Sequence, residues 1–321
     1  MESIRAPVAE DLRAVTELIV TELSSDVPLI RTIAQHITQG GGKRLRPLLV
    51  LLTAKAVGYD HDTEHHELAA VIEFIHTATL LHDDVIDRSE LRRGQRTANA
   101  IWDNSASVLV GDFLYSRAFQ ILARRSHIAV MKVLANTTNQ IAEGEVLQLM
   151  HRHRTDITET HYCDVIRRKT AQLFSAAAEI GAMLGSKTDT FRKPLADFGL
   201  HLGMAYQIID DLLDYTSDSA TMGKNVGNDL AEGKVTLPLI HALHHTEPSL
   251  IPRIHQAIQH GDLTHWSDVL DALQTTQAYR YTLDRAKQHA QSAQSLLASL
   301  PLSPYRQSLS ALTEFTVQRN S

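Results

Sequence analysis

The sequence contains two acidic clusters of the same pattern. The first is Asp83-Asp84-Val85-Ile86-Asp87, and the second, 127 residues later, is Asp210-Asp211-Leu212-Leu213-Asp214. Residues three or four positions apart lie on one face of a helix, so each cluster predicts three carboxylates side by side. Two like charges ~4 Å apart repel by about 1 kcal/mol in bulk water, and by several kcal/mol at the lower effective dielectric near a protein surface. Each cluster therefore needs a cation to offset this repulsion.

Mg²⁺ is the cation best suited to these clusters. It takes oxygen ligands and usually keeps some water molecules and substrate phosphates in its coordination shell. Either cluster alone could be a solvated acidic face, but both follow apolar helical stretches, in which uncompensated charge is unfavourable. We therefore interpret the pair as Mg²⁺ sites, whose predicted ligands are Asp83, Asp84, Asp87, Asp210, Asp211 and Asp214.

A basic segment precedes the first cluster. In Gly40-Gly41-Gly42-Lys43-Arg44-Leu45-Arg46-Pro47, three cations stand just before a predicted helix start, where the helix dipole favours anions. One interpretation is a glycine turn with solvated basic residues. The other is an anion site, at which cations and helix N–H groups converge on one phosphate group. The segment is not a Walker A loop, because Arg44 rather than Ser or Thr follows Lys43.

Further cations and one histidine extend this pattern. Arg92, Arg93 and Arg96 closely follow the first cluster, either as surface salt bridges worth less than ~1 kcal/mol or as phosphate clamps, for which the arginine fork is suited. His76 lies seven residues before Asp83, two helical turns away on the same face, and a lone histidine there is as often a core residue as a ligand. The lysines that offer more charge, each a surface residue by default, are Lys169, Lys224 and Lys234.

Helices must position these residues, because helical periodicity dominates the sequence and we find no convincing strand alternation. The predicted fold class is all-α: a single domain over residues 1–321 with ten or more helices. The expected elements are one or two helices over 7–38, a helix from Pro47 to about Val57, a long helix capped by Thr63 that carries the first cluster, helices over Val108–Ala123 and Ile128–Met150, a helix capped by Thr158, a helix opened by Pro194 that carries the second cluster, a long mobile loop over Thr216–Gly233, and helices from Val235 onward.

Composition limits the function classes. The chain has 321 residues, 43% of them hydrophobic, and a net charge of −6, so it lacks the basic excess of a nucleic-acid-binding protein. Cys163 is the only cysteine, which excludes a disulfide framework and a thiolate metal site. No signal peptide or transmembrane run is evident, so the expected location is cytoplasmic. Histidines without a coherent third ligand, to which we assign no chemistry, include His65-His66, His151, His153 and His244-His245.

Together these motifs resemble the trans-type isoprenyl diphosphate synthases, and among them the bacterial long-chain octaprenyl branch. The resemblance covers roughly residues 30–245, and the motifs in this order are very specific. They are Gly41-Gly42-Lys43-Arg44-Leu45-Arg46-Pro47, Glu73-Phe74-Ile75-His76-Thr77-Ala78-Thr79-Leu80-Leu81-His82-Asp83-Asp84, Arg92-Arg93-Gly94, Glu143-Gly144-Glu145, Lys169-Thr170-Ala171, Gln207-Ile208-Ile209-Asp210-Asp211, Gly223-Lys224-Asn225 and Lys234-Val235-Thr236-Leu237-Pro238.

The resemblance implies a bundle of long antiparallel helices around a deep cavity, usually as a homodimer, with Mg²⁺ as cofactor. It implies two substrates, isopentenyl diphosphate and an allylic diphosphate primer, and transient membrane contact for product release. The isopentenyl diphosphate pocket would comprise Lys43, Arg46, His76 and Arg93. The allylic diphosphate would be bound through the acidic clusters on opposite walls and by Arg92, Lys169, Thr170, Gln207, Lys224 and Lys234.

The implied mechanism follows from charge. Mg²⁺ and cationic side chains stabilise the departing diphosphate, the allylic carbocation forms, and the double bond of isopentenyl diphosphate attacks it. No protein base is obvious in the motifs, so the released diphosphate is the expected proton acceptor. The catalytic residues implied are Asp83, Asp84, Asp87, Asp210, Asp211, Lys169 and Lys224, and residues 216–233 would form a lid that excludes water.

Product length depends on what blocks the cavity below the first cluster. Thr79 and Ala78 lie four and five residues before Asp83, about 6–7.5 Å down the helix, and both are small. Short-chain family members have a bulky aromatic residue there or an insertion within the motif. We therefore expect a product beyond twenty carbons, with forty carbons favoured. The resemblance further implies farnesyl diphosphate as the primer and quinone side chains as the use of the product. Candidates for the cavity floor are Phe119, Leu149 and Met150.

Three other classes fit less well. A terpene cyclase normally mixes Asn, Ser or Thr and Glu in its second metal motif, and it has no basic site for isopentenyl diphosphate. A non-catalytic subunit of a heteromeric synthase typically loses an acidic motif, whereas this chain has both. A ferritin-like di-iron bundle needs Glu-x-x-His pairs that are not placed here.

Overall fold

The computed structural model describes residues 1–125, 127–185, 190–216 and 227–319. As predicted, the fold is all-α. In this part of the chain, no helix is both long enough and apolar enough to cross a bilayer.

The helices and strands follow one another in this order: α1 (Glu2–Arg5), α2 (Ala9–Glu22), α3 (Pro28–Gln39), α4 (Leu45–Ala56), α5 (Glu64–Ile86), β1 (Leu91–Arg92), β2 (Gln95–Arg96), α6 (Ala98–Ile101), α7 (Asn104–Arg125), α8 (Ile128–His151), α9 (Glu159–Ile166), a π-helix (Arg167–Ala171), α10 (Gln172–Gly185), α11 (Arg192–Thr216), α12 (Asn228–Ala231), α13 (Leu237–His245), α14 (Ile251–His260), α15 (Trp266–Thr275), α16 (Ala278–Leu296) and α17 (Pro304–Gln318). Short 3₁₀ turns cover Ala6–Val8 and Leu297–Ser299.

The chain packs as two compact units, each built from separate stretches of sequence. Unit 1 comprises Met1–Thr138, Leu173–Gly199 and Leu296–Leu312. Unit 2 comprises Asn139–Gln172, Leu200–Ser295 and Thr313–Ser321. A single domain over residues 1–321 stays a prediction.

Two apolar helices form the centre of unit 1. α4 is buried over almost its whole length, and α5 is buried over Leu68–Ile75 except at Glu73, so these stretches lack the polar face of a surface helix. α5 packs against α7, where the Ser107 hydroxyl donates to the Leu81 carbonyl at 2.9 Å. This packing fixes the end of α5 that carries the first acidic cluster.

The core of unit 2 is a continuous apolar cluster. Ile208 and Ile209 of α11 pack with residues of α13, α14 and α15, such as Leu239, Ile254 and Val269. All five side chains are almost fully buried. α11 therefore presents its second acidic cluster from a helix held by the core.

The sequence predicted most of the helix boundaries. α4 contains Pro47 in its first turn, and Thr158 caps α9 in a capping box, in which its hydroxyl accepts from the His161 N–H and the His161 ring accepts from the Thr158 N–H. Thr63 stands at the predicted N-cap of α5, but its side chain makes no capping hydrogen bond.

Two local predictions were wrong. The sequence predicted no strands, but a two-stranded hairpin, β1–β2, follows α5. The predicted loop over 216–233 is helical at Asn228–Ala231, and residues 217–226 lie outside the described residues.

Candidate active site

The first acidic cluster lies at the C-terminal end of α5. The negative end of the helix dipole adds to the repulsion among its carboxylates, so a nearby cation is required. Asp84, which is 4% exposed, accepts hydrogen bonds from Arg92 at 2.9 Å (Nε) and 2.7 Å (Nη2). Burial alone would lower the pKa of Arg92, but the hydrogen bond and charge of Asp84 outweigh it and raise that pKa. Asp83 and Asp87 are partly buried beside this pair.

The β1–β2 hairpin carries two neighbouring arginines, Arg92 in β1 and Arg93 in the turn that follows. Arg93 and Gly94 occupy its two central positions with φ of 53° and 76°, as in a type I′ turn, which glycine adopts without strain. The Arg93 guanidinium donates to the Gly41 carbonyl. A Cβ at Gly42 would lie 2.5 Å from Arg93 Nη1. The hairpin and the glycine segment are therefore fitted to each other, within unit 1.

His76 lies beside two of the predicted cations. Arg46 Nη1 is 3.0 Å from His76 Nε2. Because a guanidinium can only donate, Nε2 accepts, and the imidazole carries its proton on Nδ1. Burial first, and then the charges of Arg46 and Arg93, hold the pKa of His76 well below its usual range. Arg46 also stacks over the Phe174 ring, with 4.4 Å to its centroid. His76 is therefore a neutral acceptor held by arginine.

A pocket lies next to this group. His76 and Arg93 line it together with Arg44 and Glu73, which the site prediction did not include. Glu73 Oε2 is buried with no hydrogen-bond partner among the described residues, and burial raises the pKa of this carboxyl. The signal for Glu73 was its place in the motif that carries His76. Arg44 is also tied to α2, since it donates to the Thr16 hydroxyl.

Lys43 occupies the predicted position at the glycine segment and is partly buried. Its backbone carbonyl accepts a hydrogen bond from Arg5 Nη2 at 2.5 Å. The structure thus brings Arg46, His76 and Arg93 together in unit 1, with Lys43 on the segment that Arg93 contacts.

The second acidic cluster is held by a chain of hydrogen bonds in unit 2. Thr170 Oγ1 donates to Gln207 Oε1 at 2.9 Å, and Gln207 Nε2 donates to Asp211 Oδ1 at 2.7 Å. The Tyr162 hydroxyl donates to Asp211 Oδ2 at 2.6 Å. Asp211 is only 5% exposed, and burial raises its pKa to about 7 despite these donors. The resemblance had pointed to Thr170 and Gln207, whereas Tyr162 was missed.

Asp210 and Asp214 have different surroundings. Asp210 has a side chain 51% exposed and pairs with Arg319, whose Nη1 donates to Asp210 Oδ1 at 3.1 Å. Asp214 is buried, and its Oδ2 accepts from the Asp229 N–H at 3.0 Å. Arg319 was missed because residues 250–321 carried little of the resemblance. Its only signal in the sequence is a positive charge near the C-terminus.

The predicted lysines are paired with acids. Lys169 lies in the π-helix and donates to Glu145 Oε2 at 2.6 Å and to Gln148 Oε1 at 2.9 Å. Gly144 allows this contact, since a Cβ there would lie 2.7 Å from the Lys169 backbone nitrogen. Lys234 Nζ is 2.5 Å from Glu232 Oε2. Lys224 lies outside the described residues.

The residues predicted to control product length lie on both units. Ala78 is fully buried, and Thr79 donates its hydroxyl to the His76 carbonyl at 2.7 Å. Among the candidates for the cavity floor, Phe119 is partly buried, but Leu149 and Met150 are exposed. An exposed side chain does not form the floor of a cavity within its own unit.

The donor chemistry of both clusters suits a hard cation. Every predicted ligand offers carboxylate oxygen, and side-chain donors already hold Asp84 and Asp211 in fixed orientations. Asp210 is half exposed and pairs with a cation from the C-terminus. The residues present therefore fit Mg²⁺.

Comparison with known proteins identifies a protein family whose model matches most of the chain. A family model described as polyprenyl synthetase matches residues 27–275. The chain is 48% identical over 321 residues to an octaprenyl diphosphate synthase of Escherichia coli (strain K12), covering 100% of this chain and 99% of that protein. It is 45% identical over 318 residues to an all-trans-nonaprenyl-diphosphate synthase (geranyl-diphosphate specific) of Rhodobacter capsulatus, covering 99% of this chain and 98% of that protein.

A solved structure is also similar over the full chain. It is a polyprenyl synthase from Caulobacter crescentus CB15 complexed with calcium and isoprenyl diphosphate. The two chains superpose with a TM-score of 0.95 at 40% sequence identity, covering 100% of this chain and 98% of that one.

Proposed function

The chain belongs to the polyprenyl synthetase family, and we propose that it elongates an allylic diphosphate with isopentenyl diphosphate in Mg²⁺-dependent steps to about octaprenyl diphosphate. It is a long-chain trans-polyprenyl diphosphate synthase and thus a prenyltransferase. The observation that carries the finer proposal is the neutral His76 held by Arg46 in the same unit as the Asp84–Arg92 pair. Unit 1 therefore offers both an anion site and a metal-ligand site, as a reaction between two diphosphate substrates requires.

We assign the isopentenyl diphosphate site to Lys43, Arg46, His76 and Arg93 in unit 1. Arg46 and Arg93 supply permanent charge, and Lys43 adds a third cation on the glycine segment. Neutral His76 contributes an Nδ1–H donor without adding a further charge to desolvate. The group therefore suits a diphosphate, whose charge it can neutralise.

The allylic diphosphate is assigned to the acidic clusters and the residues around them. Mg²⁺ held by Asp83, Asp84, Asp87, Asp210, Asp211 and Asp214 would supply positive charge to the leaving diphosphate. Arg92 orients Asp84, while Gln207 and Tyr162 orient Asp211. Lys169 and Lys234 are held by carboxylates and can exchange these partners for phosphate oxygens. A solved relative complexed with calcium and isoprenyl diphosphate supports this assignment.

The chain's own residues position the reacting groups, and none of them is assigned a role in proton transfer. The double bond of isopentenyl diphosphate attacks the allylic cation after the C–O bond breaks, and the departed diphosphate takes the proton lost from the adjacent carbon. Lys224 is proposed to complete the allylic diphosphate site, and residues 216–233 are proposed to cover the reaction and exclude water. Farnesyl diphosphate is the proposed primer.

The proposed product length rests on the small side chains of α5. Ala78 and Thr79 are small, and Ala78 is fully buried, so no bulky side chain stops growth at this level. Two relatives of 48% and 45% identity are named for octaprenyl and nonaprenyl products. Eight isoprene units are therefore proposed, for quinone side chains. We further propose a cytoplasmic homodimer that makes transient membrane contact when this product leaves.

The proposal is tested with radiolabelled isopentenyl diphosphate, farnesyl diphosphate, Mg²⁺ and the purified chain, and the products are sized by thin-layer chromatography. We expect Mg²⁺-dependent elongation to about forty carbons. Asp83→Asn should abolish elongation, whereas Asp60→Asn, which changes an exposed carboxylate in the same unit, should not. No Mg²⁺-dependent elongation by the purified wild-type chain would contradict the proposal.

The isopentenyl diphosphate assignment has its own test. Lys43→Ala should raise the KM for isopentenyl diphosphate by about tenfold or more, since one charge-assisted contact is lost, and leave the KM for farnesyl diphosphate nearly unchanged. Lys193→Ala removes an exposed lysine of the same unit and serves as the control. Equal changes in both KM values would overturn the assignment.

A further inference from the structure

Two histidines and an aspartate converge in unit 1, away from the residues assigned to the reaction. His65 and His66 begin α5, and Asp11 lies in the first turn of α2. His65 Nε2 and His66 Nε2 lie 3.0 Å and 2.8 Å from the same oxygen, Asp11 Oδ1. The sequence showed no third partner for this histidine pair, and Asp11 supplies it from 54 residues away.

We propose that Asp11, His65 and His66 form a transition-metal site, most suited to Zn²⁺, that joins α2 to the start of α5. The three ligand atoms lie within 4.8 Å of one another. Ligands of a tetrahedral Zn²⁺ ion with bonds of about 2.0–2.2 Å are roughly 3.3–3.4 Å apart. The two N···O separations need to widen by only a few tenths of an ångström to accept the ion.

The donor set selects the class of metal. Two imidazole nitrogens and one carboxylate oxygen suit Zn²⁺, Co²⁺ or Ni²⁺, whereas Mg²⁺ prefers oxygen ligands alone. Three protein ligands leave the fourth position to water. The site therefore differs in chemistry from the all-carboxylate clusters of the same chain.

The surroundings hold the ligands in place. The His65 side chain is 3% exposed, and the Tyr59 ring packs edge-on against it at 5.2 Å. His65 Nδ1 has no hydrogen-bond partner among the described residues, so its Nε2 is the atom that interacts. Burial raises the pKa of Asp11, but hydrogen bonds from His65 and His66 outweigh burial and hold that pKa well below its usual value. The carboxylate is therefore anionic at neutral pH.

One cation opposes metal binding. Lys55 Nζ lies 4.0 Å from Asp11 Oδ1 and would repel a divalent ion at this position. Removing its charge should tighten metal binding severalfold. If the cluster serves only as a pair of imidazole–carboxylate hydrogen bonds, Lys55 has no such effect.

The test is a Co²⁺ titration of the chelator-stripped full chain in millimolar Mg²⁺, which saturates the carboxylate clusters. We expect visible absorption bands typical of four- or five-coordinate Co²⁺ with nitrogen ligands, competed away by Zn²⁺. His66→Gln and Asp11→Asn should each weaken Co²⁺ binding at least tenfold, Lys55→Met should strengthen it, and His61→Gln, which changes an exposed histidine nearby, should not alter it.

A second readout is independent of the Co²⁺ spectrum. Zn²⁺ should raise the Tm of the wild-type chain and of His61→Gln, but not that of His66→Gln or Asp11→Asn. Absence of the Co²⁺ bands in the wild type overturns the proposal, as does equal binding by the wild type, His66→Gln and Asp11→Asn. Elongation with Mg²⁺ should be unchanged in His66→Gln, since this residue has no part in the reaction.

Discussion

Arg319 Nη1 donates to Asp210 Oδ1 across 109 residues of sequence, at 3.1 Å. The same guanidinium donates to the Tyr206 carbonyl at 2.5 Å and lies 3.8 Å from the Tyr206 ring centroid. Its side chain is 3% exposed, so a buried cation from the end of the chain partly neutralises the most exposed carboxylate of the second cluster. If Asp210 binds Mg²⁺ as proposed, Arg319 and the metal ion would compete for one oxygen of this carboxylate.

This competition leads to the first prediction. Arg319→Ala should tighten Mg²⁺ binding to the second cluster severalfold and lower the free energy of unfolding by about 1–3 kcal/mol, because a cation–π contact and two hydrogen bonds are lost. Calorimetric titration and thermal denaturation measure the two effects. Arg319→Lys keeps the charge and should bind Mg²⁺ like the wild type. Weaker Mg²⁺ binding by Arg319→Ala would mean that Arg319 supports the metal site instead.

The second prediction concerns Ala78. Ala78→Phe should shorten the product sharply, because an aromatic ring at this level of α5 would block the growing chain. Ala78 is fully buried, so overpacking should also cost about 1–3 kcal/mol of stability. Ala257→Phe, at a fully buried alanine of α14, controls for overpacking and should leave product length unchanged. A folded Ala78→Phe variant with forty-carbon product would refute the role of this position.

The third prediction concerns Tyr162. Tyr162→Phe removes one of two donors that stabilise the ionised Asp211, so its pKa should rise above the present value of about 7. The acid limb of the kcat/KM profile should move to higher pH, with roughly 10–100-fold lower activity near pH 7, as expected for loss of a partner that orients a metal ligand. Tyr279→Phe, in the same core, is the control. An unshifted profile in Tyr162→Phe would show that Asp211 does not limit activity.

The fourth prediction concerns a histidine pair in unit 2. His201 and His289 share a hydrogen bond between their Nδ1 atoms at 2.9 Å, and burial, then the charge of His201, lowers the pKa of His289 to about 4. Since the unfolded value is near 6.5, the unfolded chain binds this proton first as the pH falls. His289 therefore contributes stability above pH 6.5 that is lost between about 6.5 and 4.

The measurement is Tm against pH for the wild type and His289→Gln. The drop in Tm from pH 7 to 4.5 should be about 1–2 °C smaller in the variant, if the pair is worth roughly 1 kcal/mol in a chain of 321 residues. His244→Gln changes an exposed histidine and should follow the wild type. Parallel curves for wild type and His289→Gln would exclude the pair as a source of acid sensitivity.

The helices were predictable because burial repeats every three or four residues. α4, α5 and α8 began or ended within a residue or two of the expected positions, and Pro47 and the glycine segment mark the start of α4. The hairpin β1–β2 was missed because strands of two residues leave no alternating pattern. Its signal was Gly94, in a two-residue turn.

The candidate site was predictable only where one stretch of sequence contains it. The two aspartate clusters and the glycine segment are local motifs. Tyr162 and Arg319 act through contacts 49 and 109 residues away, and nothing in their own surroundings marks them. The same holds for Asp11, whose two histidine partners only the fold reveals. Lys224 and the proposed lid stay predictions.

The π-helix at Arg167–Ala171 follows α9 without a break and sets the direction in which the side chains of α9 point within unit 2. A π-turn holds one residue more than an α-helical turn, and each residue of an α-helix turns the chain by about 100°. Deleting any one residue here would replace the π-turn by a regular α-helical turn and would rotate α9 about its own axis. Tyr162 would then lose its hydrogen bond to Asp211, although neither residue would have been substituted. In this segment the number of residues is itself constrained, and a one-residue deletion should be as damaging as the loss of the Tyr162 side chain.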